Sequence, residues 1–222
     1  MKAYTAAQVR GAELPLLEAG VPLMQRAAAA LADEIVAVAH ERQSGADAAA
    51  HCVLLVVGAG NNGGDALFAG ATVAAHGVSV DIARTSERVH EEGLAAALDA
   101  GAVVVDADAI DANDYDVIVD AILGTGTSGS ALRGTARETV ERMLSQLGER
   151  ERPTIVACDL PSGIHPDTGE VADSRVLTAD VTVTFGAAKI GMLLEPASRH
   201  IGRLVVAEIG LAGELERIDD DR

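Results

Sequence analysis

Aromatic residues and lysine are scarce in this sequence of 222 residues. It has no tryptophan, two tyrosines and two phenylalanines, and its only lysines are Lys2 and Lys189. Acidic residues outnumber basic ones by 34 to 17, which gives a formal net charge of −17 at pH 7. Because such a charge repels phosphate groups, we expect neither nucleic acid nor an anionic membrane surface as a stable partner.

Cysteine is also scarce, and long uninterrupted apolar runs are missing from the sequence. Cys52 and Cys158 each lie in an apolar, strand-like run, where a thiol behaves as a small buried hydrophobic group. No apolar stretch reaches the length of a membrane span, and the first predicted helix carries charges, unlike a signal peptide. We therefore expect a cytoplasmic protein without a transmembrane segment.

Helical and strand-like segments alternate along most of the chain, which is typical of a mostly parallel sheet with helices on both faces. The length suits one α/β domain, with N-terminal helices in residues 1–50 and a Rossmann-like, doubly wound, three-layer αβα core in residues 51–222. Thr5 and Gln8 form a capping-box pattern at the start of the first helix, and Pro22 suits the first turn of the second.

Apolar runs and helix-ending glycines place the individual elements. Strands are expected at residues 53–57, 78–82, 103–106, 116–122, 154–158, 181–185 and 204–209, and helices at 5–19, 22–40, 66–76, 87–100 and 135–147. Right-handed crossovers favour the order 3-2-1-4-5 for the first five strands. In that order the first, fourth and fifth strands are neighbours, and ligands bind in the crevice between the first and the fourth.

A block of glycine, asparagine and aspartate follows the first strand, from Gly58 to Asp65. The spacing of Gly58, Gly60 and Gly63 matches the dinucleotide fingerprint G-x-G-x-x-G, which is weak evidence alone. We expect this block to be a loop in front of the helix at 66–76, with backbone N–H groups that could meet phosphate. A plain dinucleotide loop does not need the polar residues 61–65.

Two more polar segments follow the fourth and fifth predicted strands, at residues 120–130 and 159–163. The carboxyl ends of neighbouring parallel strands lie at the same edge of a sheet. We therefore expect these segments to meet residues 61–65 in one crevice, and this convergence predicts an active site.

Four motifs in chain order resemble the YjeF N-terminal domain family, the NAD(P)H-hydrate epimerases. They are Gly58-Ala-Gly-Asn-Asn-Gly-Gly-Asp65, Val119-Asp-Ala-Ile-Leu-Gly-Thr-Gly126, Asp159-Leu-Pro-Ser-Gly163 and Thr184-Phe-Gly-Ala-Ala-Lys189. The resemblance implies an enzyme of nicotinamide nucleotide repair that interconverts the R and S epimers of hydrated NADH and NADPH. It also implies a homodimer formed through the N-terminal helices, and a separate dehydratase that acts downstream.

The resemblance further implies the residues that bind metal and substrate. A potassium ion, one per subunit, is expected on Asn62, Asp120 and Ser162. The expected substrate contacts are Asn61, Asn62, Gly63, Gly64, Asp65, Gly124, Thr125, Gly126, Thr127, Ser128, Gly129, Ser130 and Asp159.

Asp159 is our candidate for the catalytic residue. To invert the hydrated carbon of the nicotinamide ring, the ring nitrogen can expel the hydroxyl and leave a planar iminium ion, which water attacks from the other face. A buried carboxylate could move protons to and from oxygen and also stabilise the cation. Lys189, one of only two lysines, is expected to act near this site.

Several alternatives stay open at this stage. Asp65 could simply cap the following helix. Asp81 lies 18 residues after Gly63, near the spacing of a ribose-binding acid, which would suit an NAD(P)-dependent oxidoreductase. A non-catalytic binding module is the remaining alternative, although Asn62, Asp120 and Asp159 are all present.

Overall fold

The computed structural model describes residues 1–42, 52–126, 131–148 and 152–220. These residues form a seven-stranded sheet, a two-stranded sheet, six α-helices and short 3₁₀ turns. The strands are β1 Ala3–Tyr4, β2 Cys52–Val57, β3 Ser79–Arg84, β4 Val103–Val105, β5 Val117–Ala121, β6 Thr154–Cys158, β7 Val181–Phe185, β8 Ala188–Lys189 and β9 Arg203–Ala207. The helices are α1 Ala6–Glu18, α2 Leu23–Arg42, α3 Asn61–Ala75, α4 Glu91–Asp99, α5 Gly134–Gln146 and α6 Ala212–Asp220.

The large sheet has the order β4-β3-β2-β5-β6-β7-β9, and every neighbouring pair is parallel. The predicted order of the first five strands is therefore confirmed, and β7 and β9 extend the sheet beyond β6. The order reverses between β2 and β5, so their carboxyl ends open the crevice in which such sheets bind ligands.

The side chains of β2 alternate between two apolar clusters, one on each face of the sheet, so the sheet is the middle of three layers. Val53, Leu55 and Val57 join the cluster formed with α2, α3 and α4, whereas Leu54 and Val56 join the cluster formed with α5. All five side chains are completely buried. Successive side chains of a strand point to opposite faces, so a continuous run of apolar residues needs helices on both sides.

The N-terminal helices begin much as the sequence predicts. The Thr5 hydroxyl accepts a hydrogen bond from the Gln8 backbone N–H at 3.2 Å, and the Gln8 side chain accepts one from the Thr5 N–H at 2.9 Å. This confirms the capping box at the start of α1. β1 pairs with β8, and since α1 follows β1 directly, this small sheet brings α1 to the edge of the crevice.

The prediction of a loop at residues 61–65 is wrong, because α3 begins at Asn61 with Gly60 as its N-cap. Glycine and asparagine are poor helix formers, but close packing decides here. A methyl group at Gly63 would lie 2.4 Å from the Gly58 carbonyl oxygen, and one at Gly58 would lie 2.0 Å from the Ile122 carbonyl oxygen. These glycines let the start of α3 sit directly against two strand ends.

A smaller difference concerns a surface helix. The helix predicted at 87–100 begins only at Glu91, where His90 caps it by accepting a hydrogen bond from the Gly93 N–H at 3.1 Å. Among the described residues, no helix combines the length and the apolarity that a membrane span requires.

Candidate active site

A cavity of about 550 Å³ opens at the carboxyl ends of β2, β5 and β6. Its walls come from α1, the first turns of α3, the loop after β5, the residue after β6, and β8. The predicted contact residues that line it are Asn61, Asn62, Asp65, Gly124, Thr125, Gly126 and Asp159. Gly63 and Gly64 are buried in α3 behind this wall, and the predicted contacts Thr127, Ser128, Gly129 and Ser130 lie outside the described residues.

The three residues of the expected cation site share one hydrogen-bond network. The Ser162 hydroxyl donates to Asp120 Oδ1 at 2.6 Å, and the Ser162 N–H donates to Asp120 Oδ2 at 2.8 Å. The same hydroxyl accepts from the Leu123 N–H at 2.8 Å, and the Asn62 amide donates to the Leu123 carbonyl oxygen at 3.1 Å. The network therefore ties together the ends of β5 and β6 and the start of α3.

Asp120 carries a carboxylate that is only 1% exposed. Burial raises its pKa, and the hydrogen bonds from Ser162 and from the Ile122 N–H oppose that rise. Within the described part of the chain, no lysine, arginine or histidine forms an ion pair with it. Among the described residues, hydrogen bonds thus satisfy this buried carboxyl group, and no side-chain cation pairs with it.

Asp159 lies directly after β6 and lines the cavity. Its φ of 66° is the only positive value among the described residues other than glycine, a conformation that aspartate tolerates better than most residues. The Asp159 N–H donates to the Val183 carbonyl oxygen at 2.8 Å, which holds this backbone conformation. The turn therefore aims the carboxylate into the cavity instead of along the strand.

Lys189 is the cationic partner of Asp159. Its ammonium group donates to Asp159 Oδ1, to the Thr184 hydroxyl at 2.8 Å and to the Phe185 carbonyl oxygen at 3.4 Å. The Thr184 hydroxyl lies 3.1 Å from the same carboxylate oxygen. Lys189 is only 1% exposed, and its three N–H groups match these three acceptors. Its place in the cavity wall agrees with the role near the site expected from the sequence.

Asp65 is a third carboxyl group in this cavity, 9% exposed and in the second turn of α3. Since the helix begins at Asn61, Asp65 is not its cap, and that interpretation is wrong. Burial raises the pKa of Asp65 well above its ordinary range, the charges of Asp159 and Glu13 raise it further, and Lys189 opposes them. The cavity therefore contains carboxyl groups in two different electrostatic environments.

Comparison with known proteins agrees with this architecture. The sequence pattern of the family described as YjeF-related protein N-terminus matches residues 20–191. The chain belongs to this family. It is 44% identical to an NAD(P)H-hydrate epimerase of Clavibacter michiganensis subsp. michiganensis, over 94% of this chain and 90% of the relative.

Two further similarities cover nearly all of the chain. An NAD(P)H-hydrate epimerase of Microbacterium testaceum is 46% identical over 97% of this chain and 81% of that protein. The crystal structure of yeast ynu0 superposes with a TM-score of 0.74 at 21% identity, over 93% of this chain and 87% of that one. The yeast structure supports the three-layer α/β fold of this chain.

The residue that suggested an oxidoreductase has a structural role in this YjeF N-terminal fold. Asp81 lies in the middle of β3, which continues to Arg84, so it is not at the carboxyl end where a ribose-binding acid is needed. Its carboxylate accepts a hydrogen bond from the Tyr115 hydroxyl at 2.9 Å. Asp81 therefore anchors the segment before β5, and the oxidoreductase hypothesis loses its specific residue.

Sequence reasoning missed the contribution of α1 to the cavity. Arg10 and Glu13 line it, and Arg10 donates a hydrogen bond to the Thr125 carbonyl oxygen at 2.8 Å. Burial is the main cause that raises the pKa of Glu13. Neither residue belongs to a motif. The pairing of β1 with β8 and a hydrogen bond from the Ala6 N–H to Asp167 help to bring α1 here, so the sequence contains no direct signal for them.

Proposed function

We propose that this protein is an NAD(P)H-hydrate epimerase, which interconverts the R and S epimers of hydrated NADH and NADPH. One observation carries the proposal: three strand-end segments converge on one cavity, in a chain 44–46% identical to proteins of that name. The cavity contains carboxylates and a buried lysine, which suit proton transfer next to a cationic intermediate.

The reaction needs a planar intermediate, because the hydroxyl must leave one face of the ring and water must add to the other. The ring nitrogen supplies electrons as the hydroxyl leaves, and an iminium ion forms. We infer that Asp159 is the catalytic carboxylate. Lys189 and Thr184 engage its Oδ1, whereas its Oδ2 accepts no hydrogen bond from the described residues and is left for substrate or water.

We infer a potassium site at Asn62, Asp120 and Ser162. The donor set contains a carboxylate, a hydroxyl and an amide oxygen, and such oxygen ligands suit a hard cation. Since Asn62 donates through its amide nitrogen, its Oδ1 stays available on the side of Gly124. A cation there would balance the buried charge of Asp120. It would also supply positive charge for the substrate phosphates, because the glycine-rich segment contains no lysine that could do so.

The homodimer and the downstream partner belong to the same proposal. Leu14 and Leu17 on α1 are 58% and 53% exposed, and such apolar side chains on one helix suit a contact between two copies. Epimerisation does not remove the added water, so a separate dehydratase would have to act on one of the epimers. Cys52 and Cys158 are free thiols, which suits the cytoplasm.

A direct assay tests the proposed function. One purified epimer of hydrated NADH or NADPH is incubated with the protein and potassium, without ATP, and the epimer ratio is followed by chromatography. We expect equilibration faster than in a buffer blank. A rate equal to the blank, with protein shown to be folded, would contradict the proposal.

A further inference from the structure

Asp65 is a cavity carboxyl group for which the described residues provide no hydrogen-bond donor. It is 9% exposed and lines the cavity, yet no described residue donates a hydrogen bond to it. Asp120 and Asp159 in the same region accept two or more each. Buried carboxylates usually accept several hydrogen bonds. The described residues therefore provide no hydrogen bonds that would stabilise the charged form of Asp65.

The groups that face Asp65 reinforce this conclusion. Asp159 follows β6, Glu13 comes from α1, and both bring negative charge toward it. The Cys158 thiol lies nearby, and burial raises its pKa as well. Lys189 is the one cation among these groups, but its N–H groups are engaged by Asp159, Thr184 and Phe185. Burial and these charges therefore favour the protonated form of Asp65, next to an Asp159 that is paired with Lys189.

We propose that Asp65 is the second reacting carboxyl group of the epimerase, donating a proton to the departing hydroxyl while Asp159 accepts one from the incoming water. This inference rests on the proposed function. Two carboxyl groups in contrasting environments allow one site to supply an acid and a base at the same pH. They come from different elements, α3 and the turn after β6, which the cavity brings together.

The proposed step balances in atoms and charge. The bond from carbon to the hydroxyl oxygen breaks, its electron pair stays on that oxygen, and the Asp65 proton converts the group into water. The lone pair of the ring nitrogen forms the iminium bond. Water then adds to the other face, the nitrogen regains its lone pair, and the proton lost by that water passes to Asp159. The reverse reaction uses the two carboxyl groups in exchanged roles, and proton exchange with solvent returns Asp65 to the acid and Asp159 to the base before the next forward turnover.

The experiment compares wild type with Asp65→Asn, which keeps the shape of the side chain but cannot transfer a proton. We expect kcat to fall about 10²-fold or more with little change in KM, as for loss of an acid–base group. In wild type, kcat should also decline as pH rises through the raised pKa of Asp65, because the acid is then lost. Asp33→Asn, at an exposed position of α2, is the matched control and should retain wild-type kinetics.

Thermal stability provides a readout that does not depend on substrate. The pKa of Asp65 is higher in the folded state than the value of about 3.9 in an unfolded chain, so folding favours the protonated form. Wild type should therefore lose stability relative to Asp65→Asn as pH rises from about 4 toward the raised pKa. At pH 7 we expect the variant to have the higher Tm, and near pH 4 the two Tm values should converge.

Three outcomes would overturn the inference while the proposed function stands. Wild-type kcat and pH profile in Asp65→Asn would exclude the acid role, and so would a Tm at pH 7 below that of wild type. Loss of the high-pH decline in Glu13→Gln, but not in Asp65→Asn, would assign the acid to Glu13. If wild type itself equilibrates the epimers no faster than the blank, the proposed function fails and this inference fails with it. That result differs from one in which wild type and Asp65→Asn are both active, which contradicts this inference alone.

Discussion

Lys189→Met removes the ammonium group that pairs with Asp159 and keeps an unbranched side chain of similar length. The side chain of Lys189 is 2% exposed and that of Asp159 is 10% exposed. Removing one partner of a buried ion pair costs about 3–5 kcal/mol, because it leaves an unbalanced buried charge. Since Asp159 also faces the cavity, we expect a loss near the lower end, about 3 kcal/mol in the free energy of unfolding.

Urea denaturation of wild type, Lys189→Met, Asp159→Asn, the double variant and Lys2→Met measures this loss. Lys2→Met is the matched control, since Lys2 is the only other lysine and its side chain is 67% exposed, so stability should hardly change. The double variant Lys189→Met with Asp159→Asn removes both charges and should recover much of the lost stability. A free energy of unfolding of Lys189→Met within about 1 kcal/mol of wild type would contradict this expectation. So would a double variant whose loss equals the sum of the losses in Lys189→Met and Asp159→Asn.

Three further substitutions probe the glycine packing, the cation site and the catalytic carboxylate. Gly58→Ala should lower the free energy of unfolding by about 3 kcal/mol or more, because its methyl group would lie 2.0 Å from the Ile122 carbonyl oxygen; an unchanged Tm would contradict this. Asp120→Ala should abolish stimulation by potassium at constant ionic strength, and the site is misplaced if the potassium dependence persists. Asp159→Asn should lower kcat about 10²-fold with little change in KM, whereas a raised KM alone would mean that Asp159 only binds.

The sheet was predictable because its signals are local and repeated. Strands at 154–158 and 181–185 were placed at the observed bounds, since β-branched runs between polar turns have few other interpretations. The order of the first five strands followed from the handedness of crossover connections. The convergence of the segments that contain Asn62, Asp120 and Ser162 then followed from the strand order, whereas the choice of these three residues came from the family resemblance.

The remaining features depend on contacts between distant segments. Propensity argues against a helix at Asn61, and the close approach of Gly63 to Gly58 that explains the glycine there is a contact between separate elements. The ion pair of Asp159 with Lys189 joins the turn after β6 to β8, and no spacing rule predicts it. Helix α1 reaches the cavity because two-residue strands pair, and strands this short leave no periodic pattern in a sequence.

Incorporation of solvent oxygen tests the central claim most directly. One purified epimer is incubated with the protein in ¹⁸O-labelled water. The two epimers are then separated, and the ¹⁸O content of each is measured by mass spectrometry. If inversion proceeds by loss of hydroxyl and addition of water, every inverted molecule will carry one labelled oxygen, and inversion will outpace the blank. Enzyme-accelerated inversion without label would contradict the iminium route, and inversion at the blank rate would contradict the epimerase function itself.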